Sequence, residues 1–269
     1  MKRFNFGKRV VMAASGVALA LGMASAQASP QFSIDPSALG LGGPPGPIIV
    51  DAIGGSSSER LVTSAGTHSG QGWLSYSSFR LNSSNLPANA TGLNFFYGIY
   101  VKFTLKDHVT SGTINTPNSV NTLDQLDFTM WADPGNNNVY DAATVSSDAV
   151  VTDTGGNDIQ LGFGSLDAGT SSFNSLFGAA LNANTNFTLT DEGKLFFVSP
   201  VPFYDMTFNG FNNTTQGVTL SGPPESATIA INNASGTTDF NRVPEPGSLA
   251  LLALGLLGVH AVNRRRQSA

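Results

Sequence analysis

The chain of 269 residues contains no cysteine. This absence excludes disulfide bonds, iron–sulfur clusters, thiol nucleophiles and cysteine-ligated zinc sites. Charged residues are also scarce, at 12% of the chain against a usual fraction of roughly 25%. Because Gly, Asn, Ser and Thr abound and Glu, Lys and Ala runs are few, the composition does not favour a mainly helical protein. A hydrophobic fraction of 41% is nevertheless enough for a core, which argues against general disorder.

Positive charge is nearly missing from the middle of the chain. Seven of the 13 basic residues lie in the first nine and the last six positions, which leaves six basic residues between 29 and 243. The same span holds 17 of the 18 acidic residues, so its formal charge is −11. An acidic body of this kind repels nucleic acid and anionic lipid. Its expected partners are cations, neutral glycans or basic surfaces.

The N-terminus has the features of a secretory signal peptide. Four basic residues within the first nine precede the apolar run from Val10 to Leu21. The small residues Ala26 and Ala28 then offer a cleavage site before Ser29, with Ala24 and Ala26 as a second choice. The apolar run is short for a bilayer span, which needs about 20 residues. The sequence therefore predicts a signal peptide over residues 1–28.

The C-terminus combines a proline motif, an apolar segment and an arginine cluster. The motif is Val243-Pro244-Glu245-Pro246, the segment runs from Ser248 to Val262, and the cluster is Arg264, Arg265 and Arg266. The segment predicts one short transmembrane helix of about 22 Å, with the arginines on the cytoplasmic side. The prolines keep the preceding chain extended, so a processing enzyme can grip it as a strand-like peptide.

This order of features resembles the PEP-CTERM sorting signal of Gram-negative bacteria. The resemblance implies that an exosortase in the inner membrane processes the tail, and that the product is exported to the cell surface or extracellular matrix. It divides the chain into a signal peptide (1–28), a body (29–242) and a sorting signal (243–269). Membrane contact is then confined to the tail before processing. An ordinary C-terminal anchor is the alternative.

The body shows short alternating runs of apolar and polar residues, separated by Gly and Asn turns. The alternation is clear over 97–105, 126–130, 159–163 and 204–208. A period of two marks strands with one buried and one solvated face. Many such strands predict an all-β body, an antiparallel β-sandwich or jelly roll. Only Asn174 to Ala183 has a helical pattern.

Several stretches of the body resemble flocculation-associated PEP-CTERM proteins. They are Gly72-Trp73 and the segments 123–135, 151–164, 211–217 and 233–241. The resemblance implies a structural, non-enzymatic role in holding cells to exopolysaccharide in flocs or biofilm. It supplies no catalytic residues.

One turn carries oxygen donors that suit calcium. Asp133 and Asn136 lie in the run Asp-Pro-Gly-Asn-Asn-Asn, and Asp141 follows eight residues after Asp133. Calcium accepts six to eight oxygen ligands in flexible geometry. A calcium site at these residues is therefore one prediction, and a solvated turn whose polar side chains cap the backbone is the alternative.

Two aromatic residues lie opposite the apolar face of their strands. Tyr100 and Trp131 fall on the polar positions of the alternation. Rings on that face indicate glycan contact or cover by a second sheet. A calcium-dependent carbohydrate-binding module is accordingly an alternative function.

A secreted glycan-active enzyme is a second alternative. Glycoside hydrolysis needs two carboxylates facing across a sugar, but the body has only three glutamates, and Asp127 is expected to be an ordinary surface carboxylate. The two histidines of the body, His68 and His108, are expected at the surface. The sequence therefore predicts a protein that is not an enzyme and has no cofactor, with calcium at the turn of Asp133 as the alternative.

Overall fold

The structure is a computed structural model that describes residues 30–212 and 217–241. The predicted signal peptide with Ala26 and Ala28 lies outside the described residues. The predicted sorting signal lies outside them as well; its residues are Val243, Pro244, Glu245, Pro246, Arg264, Arg265 and Arg266. The described residues lie within the predicted body and are mostly in strands.

Sixteen strands follow one another along the described residues. They are β1 (Phe32–Ile34), β2 (Ile48–Val50), β3 (Ala52–Ser64), β4 (Thr67–Leu81), β5 (Ser84–Asn85), β6 (Tyr97–Ser111), β7 (Val120–Pro134), β8 (Val139–Asp141), β9 (Val150–Thr152), β10 (Ile159–Phe173), β11 (Ala179–Thr185), β12 (Thr188–Leu189), β13 (Phe197–Ser199), β14 (Asp205–Asn212), β15 (Val218–Ser221) and β16 (Thr228–Asn241).

In the part of the chain that the structure describes, helical structure is limited to short turns between strands. They are α1 (Ala88–Thr91), α2 (Asp191–Phe196) and the 3-10 turns Pro36–Leu39 and Pro224–Ser226. Within 30–212 and 217–241, no helix has the length and apolar character needed to cross a membrane.

Eight long strands form a closed antiparallel barrel. Their order around the ring is β3, β4, β6, β7, β10, β11, β14 and β16, and β16 pairs again with β3. The all-β prediction is confirmed, but the predicted sandwich or jelly roll is wrong. Each long strand pairs with the next long strand along the chain, and the pairing of β11 with both β10 and β14 leaves no open edge in the ring.

The alternation read from the sequence sets the inner and outer faces. On β6 the buried inward residues include Tyr97, Ile99, Val101 and Leu105, and the exposed outward residues are Lys102, Thr104 and Lys106. Successive side chains of a strand point to opposite faces, so the odd positions fill the barrel. The alternating runs in β7, β10 and β14 lie within strands in the same way.

The helix predicted for Asn174 to Ala183 does not form. Residues 174–178 make a turn and β11 begins at Ala179. Asn174 holds this turn, because its Oδ1 accepts the backbone N–H groups of Leu176 and Gly178, both at 2.8 Å. The helical pattern is a weak local preference, and pairing of β11 on both sides overrides it.

A cluster of phenylalanines closes the barrel end at which β16 terminates. A three-stranded sheet of β13, β1 and β2 packs there. Phe240 on β16 lies 4.6 Å from Phe32 and 5.1 Å from Phe203, measured between ring centroids. Phe197 is part of the same cluster, at 5.8 Å from Phe240.

A ribbon of β8 and β9 lies against the outside of the barrel. The two strands pair through Tyr140 and Val151. Beneath the ribbon, Ala143 and Ala149 form a small apolar cluster with Ala230, and Trp73 packs against it. The ribbon therefore covers part of the outer face formed by β4 and β6.

Candidate functional site

The predicted aromatic residues come together on the outer face of the barrel. Tyr100 on β6 is the cross-strand partner of Trp131 on β7, and Lys102 on β6 is the partner of Trp73 on β4. The Nζ atom of Lys102 lies 5.6 Å from the centroid of the Tyr100 ring and 5.3 Å from that of Trp131. These distances are within the range of cation–π contact.

Tyr100 is completely buried under the ribbon of β8 and β9. Tyr140 packs against it edge to face, with ring centroids 5.9 Å apart, and against Trp73 at 5.2 Å. The Tyr100 hydroxyl donates to Asp158 Oδ2 at 2.5 Å, and burial raises the pKa of Tyr100. Its ring is therefore covered by a second sheet and does not face solvent.

Trp131 stays half-buried, beside an open groove. Its indole Nε1 donates to Thr129 Oγ1 at 2.9 Å, which fixes the ring on the outer face. The groove has a volume of about 360 Å³, and its polar lining includes Gln71, Lys102, Thr104, Asp127 and Thr129. Lys102 connects the groove to the Trp131 ring. Asp127 is exposed, as expected of a surface carboxylate.

Trp73 lines this groove, whereas Trp131 contacts two lining residues, Lys102 and Thr129. Its Nε1 donates to the backbone oxygen of Asp141 at 2.9 Å, so the indole is tied to the ribbon. Asp148, in the same segment, accepts a hydrogen bond from Gln71 at 3.0 Å and forms an ion pair with Arg60 at 3.0 Å. These polar contacts hold the ribbon segment to β3 and β4.

The predicted calcium turn lies at one end of this face. Asp133 is completely buried, and its two carboxyl oxygens accept the backbone N–H groups of Asn137 at 3.2 Å and Asn138 at 3.0 Å. Burial raises the pKa of Asp133 and the nearby charges of Asp158 and Asp153 add to the rise, against the lowering effect of the two N–H groups. Asp133 thus organises the turn that follows β7.

A second acidic loop meets this turn. Asp158 accepts a hydrogen bond from Asn138 Nδ2 at 2.8 Å, in addition to the Tyr100 hydroxyl. Asp153 accepts the N–H of Gly156 at 2.6 Å. The buried atoms Asn138 Oδ1 and Asp158 Oδ1 have no hydrogen-bond partner. No sequence pattern associates Asp158 with Asp133, because the contact joins loops that follow different strands.

The other two residues of the predicted calcium set take no part in this contact. Asn136 is exposed and its Nδ2 donates to the backbone oxygen of Asn94 at 3.3 Å. Asp141 is exposed at the end of β8. Within 30–212 and 217–241, no group of three or more His, Asp or Glu side chains is arranged to hold a metal ion. Calcium binding at Asp133, Asn136 and Asp141 stays a prediction.

His68 is not at the surface, contrary to expectation. It is 1% exposed inside the barrel. Its Nδ1 lies 2.6 Å from Asp107 Oδ1, and its Nε2 lies 2.8 Å from Asn115 Oδ1. The Nδ2 of Asn115 donates to the backbone oxygen of Pro224 at 2.6 Å, and a carbonyl oxygen can only accept. The amide oxygen of Asn115 therefore faces His68.

Both ring nitrogens of His68 consequently donate, which makes the side chain an imidazolium ion paired with the Asp107 carboxylate. Burial by itself lowers the pKa of His68, but the hydrogen bond and charge of Asp107, together with Asn115, raise it above 6.5. Asp107 Oδ2 also accepts the Ser171 hydroxyl at 2.5 Å. A continuous polar network thus crosses the interior of one barrel end.

The sequence carried a signal for this network. The alternation that places Tyr97 to Leu105 inside puts Asp107 inside as well when it is extended by one step. In β4, the alternation places His68 on the same face as Leu74, which points into the barrel. His108 points the other way, as expected: its Nδ1 lies 2.8 Å from both carboxyl oxygens of the half-exposed Asp124.

Comparison with known proteins identifies the tail. Residues 242–266 match the PEP-CTERM protein-sorting motif. No curated protein and no solved structure matches the chain. The finer resemblance of the body to flocculation-associated proteins therefore stays a prediction. The motif indicates a surface protein of Gram-negative bacteria that is exported and processed by an exosortase.

Proposed function

We propose that this protein is a non-enzymatic component of the cell surface or extracellular matrix that associates with exopolysaccharide and promotes floc or biofilm formation. The groove beside Trp131 is the observation that carries the proposal. Its lining combines the Trp73 ring with amide, hydroxyl, ammonium and carboxylate side chains, and the ammonium group of Lys102 also contacts the Trp131 ring. The acidic body and the sorting motif support it, because they suit a neutral glycan outside the cell.

The chemistry of the groove suits a polysaccharide chain. A sugar ring has an apolar C–H face that can lie on an indole, and hydroxyl groups that donate and accept hydrogen bonds. Thr104 and Thr129 offer hydroxyls on adjacent strands, and Gln71 offers an amide. Each can donate and accept. The open ends of a surface groove also let a polymer continue beyond the protein, which an enclosed pocket does not.

Trp131→Ala is expected to weaken binding of the full-length chain to its host's exopolysaccharide by about tenfold or more. An aromatic anchor in an interface commonly contributes more than ~1.4 kcal/mol, which is the free energy of a tenfold change. Binding is measured by co-sedimentation of the detergent-purified protein with the isolated polysaccharide. Phe95→Ala is the matched control, because Phe95 is an aromatic residue 72% exposed outside the groove.

Equal binding by the Trp131 variant and the wild type would contradict the role of the groove. The same measurement with a chelator tests the calcium-dependent alternative, which predicts loss of binding. Shortening of the polysaccharide during incubation would instead favour the glycan-active enzyme.

Processing of the tail is tested separately. Alanine at Pro244, Glu245 and Pro246 is expected to keep the full-length chain in the inner membrane, whereas wild-type protein recovered from the host's exopolymer lacks the apolar segment and the arginines. Intact mass spectrometry of both fractions measures this. Glu225→Ala, in an exposed turn of the body, serves as the control and should be processed normally. Processing of the triple variant at the wild-type position would contradict exosortase recognition of the motif.

A further inference from the structure

A cavity of about 50 Å³ lies inside the barrel, near the polar network of His68 and Asp107. Most of its wall is apolar and comes from strands all around the ring. The apolar lining includes Leu61, Leu105, Leu126, Phe208 and Ile231. Phe103 and Leu181, which also line it, are half-buried.

Glu59 is the unusual group in this wall. Its residue is 8% exposed, and no hydrogen bond joins its carboxyl group to any of the described residues. Its cross-strand neighbours are Gly72 on β4 and Ile231 on β16, neither of which has a polar side chain. Burying a carboxyl group without a hydrogen-bond partner costs free energy. A ligand or water bound to Glu59 would reduce that cost.

Asn121 provides a second unpaired acceptor in the same wall. It is 2% exposed, and its Nδ2 donates to Ser171 Oγ at 2.9 Å. Its Oδ1 is buried and has no partner. Ionised Glu59 and the Asn121 amide oxygen are both hydrogen-bond acceptors, so a molecule that satisfies the two together must be a donor.

The charges around the cavity favour a cation. Its titratable lining groups are Glu59 from β3, His68 from β4 and Asp107 from β6; β7, β10, β11, β14 and β16 contribute none. The His68 imidazolium and the Asp107 carboxylate neutralise one another. Ionised Glu59 therefore leaves one net negative charge. Burial, followed by the charge of Asp107, raises the pKa of Glu59 to about 7. Ionising Glu59 inside the barrel therefore costs free energy, and a bound cation would lower that cost.

We propose that the cavity binds a small primary amine as its alkylammonium ion, with the ammonium group donating to Glu59 and Asn121 and the alkyl chain against the apolar wall. An ammonium group has three donors, which matches the deficit of donors. Calcium needs six to eight oxygen ligands, and the apolar wall does not supply them. Because one water-sized sphere needs about 10–15 Å³, the cavity accommodates roughly three or four non-hydrogen atoms.

Propylamine is the probe of matching size. Isothermal titration calorimetry of the full-length chain in detergent, at constant chloride, is expected to detect saturable binding of propylammonium. Affinity should rise about tenfold per pH unit from pH 5 towards pH 7 and then level off, since only ionised Glu59 pairs with the cation. Propan-1-ol has the same size without charge and should bind at least tenfold more weakly at pH 8.

Glu59→Gln keeps the shape of the side chain and should weaken propylammonium binding at pH 8 at least tenfold, while Glu225→Gln should leave it unchanged. The pH dependence of the wild type tests the same point without a substitution. The proposal is overturned if propylammonium does not bind, if it binds equally to the Glu59 variant, or if propan-1-ol binds as tightly. Each of those results would mean that Glu59 does not hold an alkylammonium ion in this cavity.

Discussion

Asp107→Asn is expected to lower the free energy of unfolding by about 3–5 kcal/mol at pH 6. Both Asp107 and His68 are buried, with side chains 1% exposed. Removing the carboxylate charge leaves an imidazolium ion without its counter-charge inside the barrel, and breaking a buried pair on one side typically costs this much. Chemical denaturation followed by circular dichroism measures the difference. The loss should be smaller at high pH, where His68 is neutral in either chain.

The barrel contains a matched control for this change. Asp124 pairs with His108 at 2.8 Å on the outer face, where the two side chains are 48% and 44% exposed. Asp124→Asn should change the free energy of unfolding by less than about 1 kcal/mol, because water screens an exposed pair. If the two variants lost equal stability, the buried imidazolium–carboxylate pair would not exist as described.

Glu59→Gln is expected to stabilise the protein by about 3 kcal/mol at pH 8 and to have little effect at pH 4. Burial first, and then the charge of Asp107, raises the pKa of Glu59 from 4.5 to about 7 in the folded state. The folded chain therefore holds this proton more tightly than the unfolded chain does. The contribution of this proton to the free energy of unfolding is fully present below pH 4.5. It falls by ~1.4 kcal/mol per pH unit as the pH rises from 4.5 to about 7.

Glutamine carries no charge, so the free energy of unfolding of the variant does not fall in this way as the pH rises. Unfolding free energies measured between pH 4 and pH 8, without amine in the buffer, should diverge steadily from those of the wild type. Glu225→Gln, at an exposed position, is the control and should follow the wild-type curve. The raised pKa of His68 also makes stability fall at higher pH, but it is present in all three chains. Parallel curves for wild type and the Glu59 variant would contradict a buried carboxyl group with a raised pKa.

The two predictions concern one barrel end and bear on the proposed amine site in different ways. The Asp107 variant tests whether the network beside the cavity is ionic. The Glu59 variant tests whether the pKa of the carboxyl group in the cavity wall is raised. If both hold and propylammonium does not bind, the network is a structural element of the barrel. Neither result affects the outer groove, whose test relies on Trp131.

Some features of the site were predictable from the strand period alone. The alternation in β6 and β7 placed Tyr100 and Trp131 on the outer face, and the structure has them there as cross-strand partners. Whether each ring is exposed could not be predicted, because the cover over Tyr100 is Tyr140, forty residues further along the chain. The position of His68 was missed for a similar reason, since its partners Asp107 and Asn115 come from β6 and the loop that follows it.

The sequence by itself determined the strands, the division of their residues between two faces, the absence of thiol chemistry and the sorting motif at 242–266. These properties are local, because the geometry of one strand or the order of residues in one short segment is sufficient to produce them. Tertiary structure alone decided that β11 joins β10 to β14 and closes a barrel, that a ribbon covers Tyr100, and that Glu59 lies unpaired in a cavity. Those outcomes depend on contacts between residues far apart in the chain, and no local pattern encodes which of the possible contacts forms.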